Sequence, residues 1–163
     1  MNLRAHPRHA EAASKDSVLV WIDAEEAVLV RWRDEAATIE QVRSDVPGKR
    51  RSTGHVRHDP RIRHGGGGTP QSAGEPRRLE RLRQFVAAVT DRIAADEDVI
   101  ILGSGTVRTR LETSLREADR VAPDARTVTS EASPRLTHPQ LVARLREAIG
   151  AEAPRRVVGA AGG

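Results

Sequence analysis

Cysteine is absent from the chain, which removes disulfides, thiol nucleophiles and zinc-thiolate sites in one step. Tyrosine is absent too, and aromatic residues amount to 2% of the sequence, namely Trp21, Trp32 and Phe85. A core must therefore be built from Val, Leu, Ile and Ala. Base stacking of the kind that grips single-stranded nucleic acid is not expected from so few rings. Lysine is confined to Lys15 and Lys49, so the remaining basic side chains are arginines, a bias that GC-rich coding explains as well as a need for bidentate phosphate contacts does. No apolar run approaches the roughly 18 residues that span a bilayer. The first sixteen residues carry Arg4, His6, Arg8 and His9 without a hydrophobic stretch, so they do not read as a signal peptide, and the cytoplasm is the expected compartment.

The 163 residues are the size of one domain. The formal charge of +4 is too small to indicate a polyanionic partner by itself, but its distribution is uneven. Arg43, Lys49, Arg50, Arg51, Arg57, Arg61 and Arg63 crowd one stretch, interleaved with His55, His58 and His64 and offset only by Asp45 and Asp59.

The hydrophobic pattern predicts an α/β fold. Residues 1–16 lack periodicity and read as a disordered arm; residues 151–163, with Pro154 and several glycines, read as a flexible tail. Between them, 17–150 form a single domain. Ser17–Ile22 and Ala27–Trp32 are β-branched runs separated by a hairpin-length turn, and Thr38–Arg43 gives a third strand of the meander. Pro76 marks the first turn of a helix whose Leu79, Leu82, Val86, Val89 and Ile93 recur at spacings of three and four. A buried-type strand at Asp98–Leu102 leads through Gly103-Ser104-Gly105-Thr106 to a helix carrying Val107, Leu111, Leu115 and Ala118. A short strand follows around Arg126–Thr129. The last helix has Thr137 and Gln140 as a capping box and Gly150 as its stop. The expected architecture is a mixed sheet, an antiparallel meander followed by two crossover units, flanked by about three helices and ribonuclease-H-like or ribosomal-protein-like in type.

From 44 to 74 apolar residues nearly vanish, leaving a long basic Gly-rich loop; loops of that length are usually functional or disordered. Its sharpest feature is His64 followed by Gly65-Gly66-Gly67-Gly68-Thr69-Pro70-Gln71. The glycine run lets a ligand approach the backbone closely, and the Gln71 amide both donates and accepts, so it can hold a water or a carbonyl. The basic charge continues onto the following helix through Arg77, Arg78 and Arg81. The same composition also describes a solvated low-complexity linker.

Ser44-Asp45-Val46-Pro47, the basic stretch, the glycine run with Gln71-Ser72-Ala73, and the Arg-rich helix from Arg77 to Ile93 together resemble the central domain of archaeal and eukaryotic peptide chain release factors. They are more similar still to its bacterial single-domain relatives. The resemblance spans roughly residues 17–149, and Gly68-Thr69-Pro70-Gln71 matches the looser Gly-x-x-Gln form of the family's loop. It implies a ribosome- or tRNA-directed protein. Gln71, with Gly67 and Gly68, would promote hydrolysis of the ester joining peptide to tRNA, with no cofactor. Arg50, Arg51, Arg57, Arg61, Arg63, His64, Arg77, Arg78 and Arg81 would grip nucleic acid. Thr69-Pro70 stands where release factors have adjacent glycines, and Pro70 stiffens the tip and removes an N–H. No codon-reading domain is present in these residues. The alternative is a non-catalytic RNA- or ribosome-binding module on the same fold, and a loop that orders on a protein partner is a third.

Other constellations point elsewhere only weakly. His55, His58 and His64 sit among cations on a loop without rigid geometry, so no metal is expected. Asp23, ending the first strand, reads as a turn residue. The Gly103-to-Thr106 junction reads as a tight turn capped by Ser104 or Thr106, and it lacks a nucleotide-binding fingerprint.

Overall fold

A computed structural model describes residues 16–46, 71–152 and 154–159, with 71–73 described by their backbone alone. Six strands and three helices follow in the order β1 (Ser17–Ile22), β2 (Glu26–Arg33), β3 (Ala36–Arg43), α1 (Gln71–Thr90), β4 (Asp98–Gly103), α2 (Gly105–Ala118), β5 (Val128–Ala132), α3 (His138–Ile149) and β6 (Arg156–Gly159), with a short 3-10 turn at Asp119–Val121 after α2. One sheet contains all six strands in the order β5-β4-β1-β2-β3-β6. The meander β1-β2-β3 is antiparallel, while β4 runs parallel to β1, β5 to β4 and β6 to β3. This is the mixed α/β sheet that the hydrophobic pattern predicts.

The central position of β1 explains its unbroken apolar sequence. A strand covered on both faces needs apolar residues at every position, and Val18 through Ile22 are all buried. Val18, Val20 and Ile22 point to the face covered by α1 and α2, where Leu82, Phe85, Val86, Val89, Val107, Leu111 and Leu115 pack. Leu19 and Trp21 point to the other face, against Leu141, Val142 and Leu145 of α3. The Trp21 indole Nε1 donates to the Pro134 carbonyl at 3.0 Å, which meets the polar need of the buried ring.

Local chemistry fixes the turns. The Asp23 carboxylate accepts the backbone N–H groups of Glu25 and Glu26 at 2.8 and 2.9 Å, the turn role its sequence position predicts. Asp34 and Glu35 join β2 to β3 with φ of 50° and 58°, the left-handed pair of a two-residue hairpin turn. Thr137 and Gln140 form the capping box of α3, and Gly150 ends that helix at φ 66°.

Several boundaries differ from expectation. Helix α1 begins at Gln71, with Pro76 inside it, so the loop after β3 ends by residue 70 and not at 74. Pro76 is the sixth residue of α1, past the four N–H groups without intrahelical partners, so it forfeits one intrahelical bond. Leu79 is 40% exposed, because this first part of α1 projects past the sheet and the contact stripe begins at Leu82. Strand β5 sits two residues later than expected, since Asp98 Oδ1 accepts the Thr127 N–H at 2.7 Å and Val99 N–H donates to the Thr127 carbonyl at 2.8 Å before regular pairing starts. Strand β6 falls in the stretch that reads as a tail: Ala36–Ile39 pair with Arg156–Gly159, and Arg155 N–H donates to the Glu35 carbonyl at 2.9 Å.

Candidate nucleic-acid interface

The described residues that flank the basic stretch are Ser44–Val46 and the start of α1. At the entry, Ser44 N–H donates to the Glu25 carbonyl at 2.8 Å, Ser44 Oγ accepts the Val46 N–H at 3.1 Å, and Val46 packs against the α1 side of the core. At the exit, Gln71 is the first residue of α1. Arg81, in the third turn of α1, donates from Nη1 to the Asp45 carbonyl at 3.0 Å. That arginine, expected as a phosphate contact, therefore also ties the segment after β3 to α1, ten residues beyond Gln71.

Of the remaining expected contacts, Arg77 and Arg78 lie on the exposed early turns of α1. Arg77 makes no ion pair or hydrogen bond among the described residues. Arg78 is half-buried: its Nη1 lies 4.0 Å from a Glu75 carboxylate oxygen, and its Nε is buried with no partner. Gly67, Gly68, Arg50, Arg51, Arg57, Arg61, Arg63 and His64 lie outside the described residues, as do His55 and His58. Among the described residues no cluster of His, Asp and Glu is arranged to hold a metal ion.

Arg78 projects into a cleft of about 570 Å³ outside the carboxyl ends of β1 and β4, together with Asp23, Glu25, Ser104, Thr106 and Arg110. The two arginines face three carboxylates there, counting Glu75, and one oxygen of Asp23 is already engaged by its turn. Ser104 occupies the N-cap position of α2 with extended backbone, yet its side chain makes no capping hydrogen bond, so the sequence reading of this junction holds for position but not for the hydroxyl. Arg110 was not legible as a site residue. Its signal is indirect: with Val107, Leu111 and Leu115 buried against the sheet, helical spacing turns residues 106, 110 and 113 toward α1.

Elsewhere on α2, Glu112 and Arg116 form an ion pair. Glu112 lies one turn from both Arg108 and Arg116, and Arg116 holds it at 2.9 and 3.1 Å. The hydrogen bond from Arg116 holds the Glu112 carboxyl below its ordinary range, with desolvation opposing and a Ser130 bond and the charges of Arg116 and Arg108 assisting. Arg108 Nη1 donates to Ser130 Oγ at 2.5 Å.

The fold defines an α/β protein with helices on both faces of a mixed sheet. No protein-family model matches the chain, and no curated protein matches it in sequence. Among the described residues no helix is long and apolar enough to cross a membrane.

Proposed function

We propose that this chain is a ribosome-directed protein of the release-factor type, acting on the ester of peptidyl-tRNA in ribosome rescue, with Gln71 as the residue that positions the hydrolytic water. The observation that carries the reading is the placement of Gln71 as the first residue of α1, three residues after Gly68 and six before exposed Arg77, with half-buried Arg78 next to it. An amide at the helix start that follows a glycine-rich segment can reach a reacting carbonyl, while arginines a turn or two further on neutralise neighbouring phosphates. Arg81 is consistent with the same reading, since its bond to the Asp45 carbonyl holds the end of the β3 segment beside that helix. Affinity in this scheme comes from phosphate and shape contacts, as the scarcity of aromatic residues requires.

The test is release of labelled peptide from ribosome-bound peptidyl-tRNA, comparing wild type with Gln71→Ala on stalled and empty-A-site complexes. Release by the wild type and its loss in the variant, with ribosome affinity retained, is the expected result. Salt-sensitive ribosome binding without release by either protein would sink the esterase and leave a binding module.

A further inference from the structure

The sheet ends in two edge strands, β5 and β6, and they are finished differently. An unpaired edge offers a row of backbone donors and acceptors to any other strand, so proteins guard it with charge or cover. On β5 the exposed Glu131 is held by Arg144 at 3.0 Å, and Arg116 Nη2 donates to the Val128 carbonyl at 3.4 Å. On β6 the one charge is Arg156 at its start; Val157 and Val158 follow, 52% and 39% exposed. Among the described residues nothing hydrogen-bonds to the outer edge of β6.

Register assigns each valine to a face. Val157 pairs with Ala37, which lies in the core beneath α3, so its side chain is on the α3 face. There it borders an apolar groove of about 500 Å³ together with Ile39, Val142, Ala143 and Gly159. A Cβ built on Gly159 would meet nothing within 4 Å. The described lining holds no carboxylate, and its polar side chains are His138 and Arg146. Val158 pairs with Thr38 and takes the opposite face.

The rest of the chain offers no apolar pair to set beside these valines. Residues 1–15 and 47–70 contain no two adjacent large apolar residues, and Ala160-Ala161-Gly162-Gly163 has nothing larger than a methyl group. The edge does match itself. Two copies related by a two-fold axis perpendicular to the sheet pair antiparallel, and opposed residues share a face. Centred on Val158, this pairing sets Val158 against the partner's Val158 and Val157 against the partner's Gly159, where the missing side chain leaves room for the valine. It also keeps the two Arg156 at opposite ends. Each is then level with the partner's Glu40, on the same face and two strands away, roughly 10 Å. Arg156 makes no ion pair among the described residues, and Glu40 is partly exposed. Centred on Val157 instead, the pairing would set Arg156 against the partner's Val158 and Arg155 against the partner's Gly159, bringing guanidinium groups to the apolar strip.

We propose that β6 pairs with β6 of a second copy, antiparallel about Val158, so that one continuous sheet runs through both. The contact does not depend on the ribosome-directed reading. Confined to a short strand, it buries less than the roughly 800 Å² per partner of a standard interface, and the dimer forms only as concentration rises.

Sedimentation velocity from about 10 µM to about 1 mM, a range suited to a small interface, tests it on wild type, Val158→Lys and Thr129→Lys. Wild type is expected to shift toward dimer across this range. Val158→Lys opposes like charges at the two-fold axis and is expected to weaken association on the order of tenfold, with far-UV circular dichroism unchanged. Thr129→Lys, on the β5 edge, is expected to associate as wild type does. A wild type that stays monomeric, or a Val158→Lys that associates equally well, overturns the proposal, as does loss of association in Thr129→Lys. Register is read separately: the chain has no cysteine, so a single introduced thiol can form a disulfide only between copies. Val158→Cys is expected to cross-link faster under mild oxidation than Val157→Cys, and the reverse order overturns pairing about Val158.

Discussion

Gly103 lies so close to Ile22 across the β1–β4 pair that a Cβ built on it would fall 2.1 Å from the Ile22 carbonyl oxygen. The contact is with backbone, which cannot swing away as a side chain would. The φ of Gly103, +152°, is also one that L side chains rarely adopt. Gly103→Ala should therefore separate the carboxyl ends of β1 and β4, beside the cleft that holds Arg78 and Arg110. A loss of about 1–3 kcal/mol is expected, seen as a drop in denaturation midpoint at unchanged urea m-value. Gly105→Ala, where nothing lies within 4 Å of the added carbon but φ is +69°, should cost less, and a larger effect at 105 than at 103 contradicts this account.

Arg31 and Glu97 provide the second prediction. Glu97 is 2% exposed, and the Arg31 Nε lies 2.8 Å from its carboxylate. Arg31 also reaches Glu40 at 3.3 Å and the Arg92 carbonyl, while Glu97 accepts the Ala94 N–H at 3.2 Å. The network fastens the end of α1 to the sheet. Truncating Arg31 to alanine leaves a buried carboxylate short of its main partner, and the expected cost is about 3 kcal/mol. Because the penalty belongs to the abandoned charge, adding Glu97→Gln to Arg31→Ala should recover part of it. Additive losses in thermal denaturation of the double variant would show that the two residues stabilise the fold independently.

The difference between what the sequence announces and what it conceals follows from where the information lies. Continuous apolar runs announce β1 and β4, three-four spacing announces α2 and α3, and the Thr137–Gln140 capping box is local enough to read directly. Leu79 has the correct spacing for the α1 stripe yet is exposed, because spacing gives a face and not how far the sheet extends beneath it. Strand β6 is four residues long and follows Pro154; its order comes from non-local pairing with β3. The candidate site divides in the same way. Arg77, Arg78 and Arg81 are legible as a basic helix face, but the Asp45 carbonyl held by Arg81 and the approach of Arg110 to Arg78 exist only once α1 is placed on the sheet beside α2.

Acid stability should carry a small signature of Glu112. Its carboxyl titrates below the ordinary range in the folded protein because Arg116 bonds to the ionised form. A lowered folded pKa contributes stability that is fully present above the unfolded value, about 4.3, and is lost as pH falls through the folded value. The pair is one turn apart on a helix and partly solvated, so a contribution of about 0.3–0.5 kcal/mol is expected. Glu112→Gln should lower Tm by about 1 °C at neutral pH, with the difference closing only as pH falls through the lowered folded value. A constant offset across the whole range would assign the effect to packing.

Glu35 offers a stabilising substitution. It and Asp34 hold left-handed φ values without being glycine, at a cost of roughly 1–2 kcal/mol per residue. Glu35→Gly removes that strain at one position and sacrifices an ion pair, Glu35 Oε2 to Arg155 Nε at 2.7 Å, whose side chains are 64% and 83% exposed. Such a pair is worth under about 1 kcal/mol, and the added chain entropy of glycine subtracts a comparable amount. The backbone bond from Arg155 to the Glu35 carbonyl, which starts β6 beside β3, does not depend on the side chain and survives. A net gain of about 0.5 kcal/mol follows, and Asp34→Asn alongside should increase it by completing the preferred Asn-Gly pair of this turn. If Glu35→Gly instead lowers Tm while Arg155→Gln lowers it equally, the ion pair outweighs the turn strain and holds β6 to the sheet.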